Sequence, residues 1–358
     1  PALAAIVSIL GTSCTGGGAA TGDTGTPAPT AGSDEPIVLR MANSYGGLDQ
    51  LPAVAYFVNR VEELSGGGIV ITVADSYGDF AEDVEERVVR HVAVGDMDLG
   101  WVGTRVFDTM GLNSFQALTA PMLVDSYALQ NAVIESGMTD EMIDTLDEVG
   151  VTGLGVLAGG LRKPIGTDGP IMGPADWQGI GFGTYRSEGQ EAAIRALGAT
   201  PALVFGPRRE DAISSDTIQG FEMGMFIYQD PKWVALAPHV TANVSLWPQM
   251  DVLIVSPDRL ESLTDEQQAW LQQAADDAAG RSADLADTDA RASEAACEAG
   301  ARFAEASEAD LAALDDLFEP VYADLERDEQ TRNFIEEIRA LKESVSPESE
   351  PVIPPGCA

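Results

Sequence analysis

Between residues 36 and 255, short apolar runs alternate with segments whose apolar residues recur every three to four positions; from Thr264 the chain is almost wholly helical. "PIVLRMANSY" reads as a strand, residues 50–64 as a helix carrying Val54, Phe57, Val58 and Val61 on one face, and "GGGIVITVADSYG" as a second strand between glycine breaks. Val84, Val88 and Val92, spaced by four, mark a helix ahead of the strand in "MDLGWVGTRVF". The alternation resumes through "VTGLGVLAGG", "QGIGFGTY", a helix closed by Gly198, "TPALVFG", and a helix leading into a strand near Phe221. A buried strand returns late, in "QMDVLIVSPDRLESL", and the capping box Thr264–Gln267 opens the helical remainder. Strands alternating with helices predict parallel βαβ units.

At 358 residues the chain is too long for one ordinary core. The expectation is an α/β protein of two lobes, with the chain crossing between them and helices at the C-terminal end. Residues 36–159 with 249–285 are expected to form lobe I, and 160–248 with 286–345 lobe II, followed by a Pro-rich tail at 346–358.

The first residues give a compartment. "PALAAIVSILGTSC" reads as the apolar region of a signal peptide, with residues 1–14 ending at Cys14, the thiol that becomes a bacterial lipid anchor. The box departs from the usual one, since Leu10 stands one place early and Gly11 fills its slot. The competing reading, a buried cysteine in an ordinary helix, fits poorly with the glycine-rich sequence that follows at once. Residues 15–35 lack apolar bulk and read as a flexible tether. In an oxidising compartment the remaining cysteines, Cys297 and Cys357, are expected to be bridged, pinning the tail to the helical region.

The formal net charge is −38, from 58 acids against 20 bases, so DNA, RNA and anionic lipid surfaces would be repelled and no nucleic-acid partner is expected. Most of that charge reads as solvated surface. The glycines at 179, 181 and 183 look at first like a phosphate loop, but neither frame completes G-x-G-x-x-G: the sixth positions are Thr184 and Arg186. The Walker lysine pattern and G-x-S-x-G are absent, and the only histidines, His91 and His239, are isolated. No zinc ligand set exists, and "DLADTDARASE" lacks the calcium-loop turn. No metal, no cofactor and no enzymatic constellation are expected.

The order of several segments is similar to the solute-binding proteins of TRAP (tripartite ATP-independent periplasmic) transporters, of the dicarboxylate-receptor type. The segments are "VGDMDLGWVGTRVF", "TAPMLVDSYA", "PIMGPADWQGIGF", "ALGATPALVF", "IQGFEMG" and "IVSPDRLESLTDEQQAWLQQAADDAA", and the resemblance runs from about Ile37 to Leu341. It implies a periplasmic-binding-protein-like fold of two α/β lobes joined by crossing strands, a long bracing helix, a small organic acid held in the interlobe cleft, and delivery to a membrane permease. A sensory or non-transport lipoprotein, or a cleft enzyme on the same fold, are the competing readings.

The resemblance also locates a rewritten site. In the family the strand at "GIGFGTYRS" delivers an arginine that grips the ligand carboxylate; here Gly183 holds that place, and Met223 replaces the usual asparagine. Arg105 and Arg162 match arginines that point into the cleft. Arg186 is read as a partial replacement, against the alternative of an exposed arginine near Glu188. Phe205 matches a ligand-packing position, and Trp101, Thr104, Asn43 and Tyr185 complete the expected lining; Phe182 could equally be core. Glycine at 183 is expected to leave room for a bulkier ligand. The predicted ligand has one acidic group and a larger or more apolar body than a simple dicarboxylate.

Overall fold

A computed structural model describes residues 35–345 and 353–358. Cys14, nearly all of the tether and the first part of the Pro-rich tail lie outside the described residues. The strands are β1 (Ile37–Ala42), β2 (Ile69–Ala74), β3 (Leu99–Gly103), β4 (Thr152–Gly166), β5 (Gly181–Thr184), β6 (Thr200–Leu203), β7 (Gly220–Met223), β8 (His239–Thr241), β9 (Trp247–Val255) and β10 (Arg302–Ala304).

They join in the order β2-β1-β3-β9-β4-β7-β5-β6, with β8 on β4 and β10 on β8. Within each half the neighbours are parallel, as the alternation predicts: β1 with β2 and β3, and β5 with β6 and β7. Where the halves meet, β9 runs antiparallel to β3 and β4, and β4 antiparallel to β7 and β8. The sheet is therefore mixed. The long β4 belongs to both halves, pairing with β9 from Thr152 to Arg162 and with β7 from Lys163 to Gly166.

The β4–β9 register shifts between Ala158 and Leu161, at the pair Gly159-Gly160. A Cβ on Gly159 would lie 2.9 Å from the Gln249 carbonyl oxygen, so only glycine lets the strands approach this closely here. The Gln130 amide, fully buried, donates to the carbonyls of Gly159 and Gln249 at 3.1 and 3.2 Å and satisfies groups the irregular ladder leaves over.

The helices follow their patterns. Helix Pro52–Leu64 buries Val54, Phe57 and Val61, and helix Val84–Ala93 buries Val84, Val88 and Val92 against the sheet. Thr264 caps helix Asp265–Ala279 reciprocally with Gln267. That helix packs on β4 and on Pro52–Leu64; after the 3-10 turn Gly280–Asp284 the chain continues as helix Leu285–Glu298, whose Ala292 and Ala296 join a different apolar cluster with Phe221 and Trp233. The bracing element is thus two helices in series. "DLADTDARASE" falls almost entirely on the second of them. Cys297 and Cys357 are joined, with Cα atoms 5.8 Å apart.

Candidate functional site

A cleft of about 380 Å³ opens where residues following β1 and β2 face residues following β6 and β7. One side presents Tyr45 and Phe80; the other presents Phe205, Arg209, Met223 and Trp233, with Tyr185 between them. Much of the wall is aromatic, and Gln50, Glu210, Gln229, Asp230 and Lys232 also line it. Phe205 meets Tyr45 and Tyr185 edge-on at 5.0 and 4.9 Å, Phe80 lies 6.3 Å from Phe205, and Trp101 packs behind Tyr45 in a tilted pair at 4.9 Å.

Three guanidiniums converge on one ring. The Arg105, Arg162 and Arg209 side chains lie 4.3, 5.2 and 5.1 Å from the Tyr185 centroid, and each residue is at most 5% exposed. Burial alone pushes the Tyr185 phenol up, but Arg209, Arg162 and Arg105 outweigh it and hold the phenol below its ordinary range. Tyr45, with less cationic compensation, is pushed well above its ordinary range by burial and by Tyr185.

Two of the three cations are already neutralised. Arg105 donates to Glu85 at 2.6 Å, while the other Glu85 oxygen accepts from the Gly103 amide at 2.9 Å. Arg162 donates to Gln249 and lies 3.3 Å from Glu222, in a geometry that leaves neither Glu222 oxygen hydrogen-bonded. Burial raises the Glu222 carboxyl against the pull of Arg162, Arg209 and Arg105. Arg209, on helix Pro207–Ser214, has neither an ion pair nor a side-chain hydrogen bond at Nε and Nη2 among the described residues.

The expected site residues separate into groups. Tyr185, Phe205 and Met223 line the cleft. Arg105 and Trp101 stand directly behind it, and Arg162 borders a second, smaller cavity of about 50 Å³. Thr104 is buried at the start of the 3-10 helix Thr104–Met110. Asn43 is fully buried and committed to the loop, donating to Asp75 at 2.6 Å and accepting from the Tyr45 amide. Phe182 packs against Trp177 in a tilted pair with centroids 4.6 Å apart, within the core.

Two expectations need correction. Arg186 does not face the cleft: its guanidinium is 2.7 Å from Glu86, with the side chain 41% exposed, so a local acid rather than a ligand takes its charge. Nor does Gly183 leave room, because a Cβ there would meet Ile218, Val204 and Phe221 at 2.9–3.1 Å; apolar neighbours have closed over the position. Sequence reasoning missed Arg209, Tyr45 and Trp233. The one signal for Arg209 was its spacing of three and four residues from Ala212 and Ile213, which puts it on the inward face of its helix.

Asp251 on β9 adds a titratable group. Burial pushes it up to about 6, against the opposing effects of Arg105 and of Gln249, which donates to both carboxylate oxygens at 3.1 and 3.2 Å. Unfolded, the carboxyl titrates near about 4, so between there and about 6 the folded chain keeps a proton that the unfolded chain has lost. Stability contributed by this group is full below the unfolded value and declines as pH rises through the folded one. Asp251→Asn should flatten that decline and raise stability near neutral pH by roughly 2–3 kcal/mol. Urea unfolding at a series of pH values checks it, and a variant whose pH profile parallels the parent's would refute the assignment.

The fold is the mixed α/β fold of periplasmic binding proteins. The profile of "Bacterial extracellular solute-binding protein, family 7" matches residues 49–328, and the chain belongs to that family. The C4-dicarboxylate-binding periplasmic protein DctP of Rhodobacter capsulatus is 22% identical over 189 residues, a match spanning 52% of this chain and only 56% of that protein. Among solved structures, a TRAP solute-binding protein of Xanthobacter autotrophicus Py2 with bound β-D-galacturonate superposes with TM-score 0.74 at 21% identity, covering 84% of this chain and 99% of that one. One from Ralstonia eutropha H16 with bound (S)-2-acetolactate gives 0.77 at 18%, covering 86% and 99%.

Proposed function

We propose that this chain captures a small organic acid in the aromatic cleft and delivers it to a TRAP-type membrane permease. The observation that carries the reading is Arg209, a buried guanidinium with no ion pair among the described residues, which lies against Tyr185 at the wall of a cleft of about 380 Å³, with the paired Arg105 and Arg162 on the same ring. An anion is the ligand such a site favours. The galacturonate and acetolactate bound by the two similar structures each carry one carboxylate, in line with an acid having a single acidic group here.

In this reading residues 36–159 with 249–285 form one lobe and 160–248 with 286–345 the other. Arg105 and Arg162, engaged by Glu85, Glu222 and Gln249, back the Tyr185 ring, while Tyr185, Phe205 and Met223 contact the ligand's body. Ligand contacts from both sides favour the closed arrangement in proportion to its differential affinity. Cys14 carries a lipid that holds the protein at the outer face of the membrane, with residues 15–35 as the tether.

The test is thermal unfolding of the purified chain with D-galacturonate, 2-acetolactate, phenylacetate and succinate, each beside a neutral analogue. A monocarboxylate at a hundred times its dissociation constant should add about 2.7 kcal/mol, a clear rise in melting temperature. Equal stabilisation by neutral analogues, or by none of the compounds, would sink the reading.

A further inference from the structure

Among the described residues, Arg209 is the cation of this cleft without an ion pair. Glu85 pairs with Arg105 at 2.6 Å and Glu210 with Lys232 at 2.7 Å, while Glu222, 3.3 Å from Arg162, acts on Arg209 only through its field. Arg209 itself is only 2% exposed, and its surroundings are ring faces, with Tyr185, Phe221 and Trp233 at 5.1, 5.3 and 5.9 Å. A buried cation without a carboxylate is costly to keep. Cation–π contacts offset part of that cost, but they leave the N–H groups without acceptors.

The two unsatisfied atoms are informative. Nε and Nη2 lie on the same edge of the guanidinium plane, the edge that takes a carboxylate through two parallel hydrogen bonds. Arg209 also forms part of the cleft wall, opposite Phe80 and beside Phe205. Both atoms are sealed from solvent, so an acid reaches them as a neighbouring ring moves. Tyr185 and Trp233 both line the cleft and lie against the guanidinium, so movement of either ring would open that edge.

Resting on the solute-receptor reading above, we propose that Arg209 is the carboxylate grip of this cleft and selects a monocarboxylic acid with a flat, apolar body. The grip is a shifted one. The strand position that Gly183 occupies is packed shut by Ile218, Val204 and Phe221, and the cation comes instead from the helix that follows β6. The bound acid's body lies against the ring faces of Phe205, Phe80 and Trp233, which favour a flat apolar group, although Gln50, Glu210, Gln229, Asp230 and Lys232 line other parts of the same cleft.

The experiment is calorimetric titration of the full chain with phenylacetate, phenylacetamide and D-galacturonate, in the parent, Arg209→Met and Arg209→Lys. The parent should bind phenylacetate and not the amide. Arg209→Met should weaken phenylacetate roughly a hundredfold while its ligand-free melting temperature stays level or rises, because a near-isosteric apolar side chain removes an unpaired buried charge. Arg209→Lys should recover part of the affinity and none of the bidentate geometry. A role in packing alone would lower the melting temperature and leave the acid-over-amide preference intact. Should Arg209→Met fold poorly, the Lys variant carries the test: full parental affinity there overturns the bidentate grip. Phenylacetate binding undiminished in Arg209→Met overturns this proposal and leaves the receptor reading standing. Binding of galacturonate in preference to phenylacetate overturns the apolar-body selection. Failure of every acid in the parent overturns both readings.

Discussion

Arg162→Met should lower the unfolding free energy near neutral pH by about 3–5 kcal/mol, the usual consequence of removing one partner of a buried ion pair. The side chains of Arg162 and Glu222 are 2% and 0% exposed, and Glu222 has no hydrogen bond to fall back on. With its ion-pair partner gone, Glu222 must either stay charged with only the fields of Arg209 and Arg105 to compensate it, or take up a proton. Its carboxyl is already raised by burial, so protonation is the cheaper course and the loss should shrink as pH falls. Gln249 loses a donor as well, which loosens its link to Tyr45 and Asp251. The double variant Arg162→Met with Glu222→Gln should regain most of the stability, since neither charge is then buried alone. Urea unfolding of parent, single and double variants decides the matter. A single variant as stable as the parent, or a double variant no better than the single, would show that the pair is not the unit described here.

The parts of this architecture that were legible in the sequence rest on periodicity. Val84, Val88 and Val92 point to one face because a helix turns every 3.6 residues, and Thr264 with Gln267 marks a helix start because both groups satisfy orphan backbone partners. Strand direction is a different matter. An apolar run such as "MDVLIV" has the same pattern whichever way its neighbours run, so the antiparallel placement of β9 between β3 and β4 could not be read from it. The site was legible only in outline for a related reason. Arg186 and Arg209 both lie near helix starts, and both have acids close in sequence. What separates them is the third dimension: Glu86 on helix Val84–Ala93 reaches Arg186, whereas the turn of helix Pro207–Ser214 carries Arg209 inward beside Ala212. Gly183 misled in the opposite direction. Deleting a side chain creates space only if neighbours fail to fill it, and Ile218, Val204 and Phe221 fill it.

Replacing both Cys297 and Cys357 by serine should cost about 2–4 kcal/mol, because the bridge closes a loop with a sequence separation of 60 residues and removes much of that loop's freedom from the unfolded chain. The loop contains helices Glu308–Leu325 and Glu329–Ser344. Their buried residues, including Phe318, Phe334 and Ile338, pack into the largest apolar cluster, so they should remain folded without the bridge. The local effect belongs at β10. That strand pairs with β8 on one side, and the Phe303 amide donates to the Cys357 carbonyl at 2.6 Å on the other. The bridged chain end therefore covers what would be an open sheet edge. Hydrogen exchange should show the Phe303 amide losing protection in the serine variant while amides in β4 and β9 keep theirs. Reduction of the parent protein should reproduce both effects, which ties full stability of this region to an oxidising compartment, where an extracellular binding protein resides. An unchanged urea midpoint on reduction, with Phe303 still protected, would mean that packing of Ile353 and Cys357 alone holds the chain end in place.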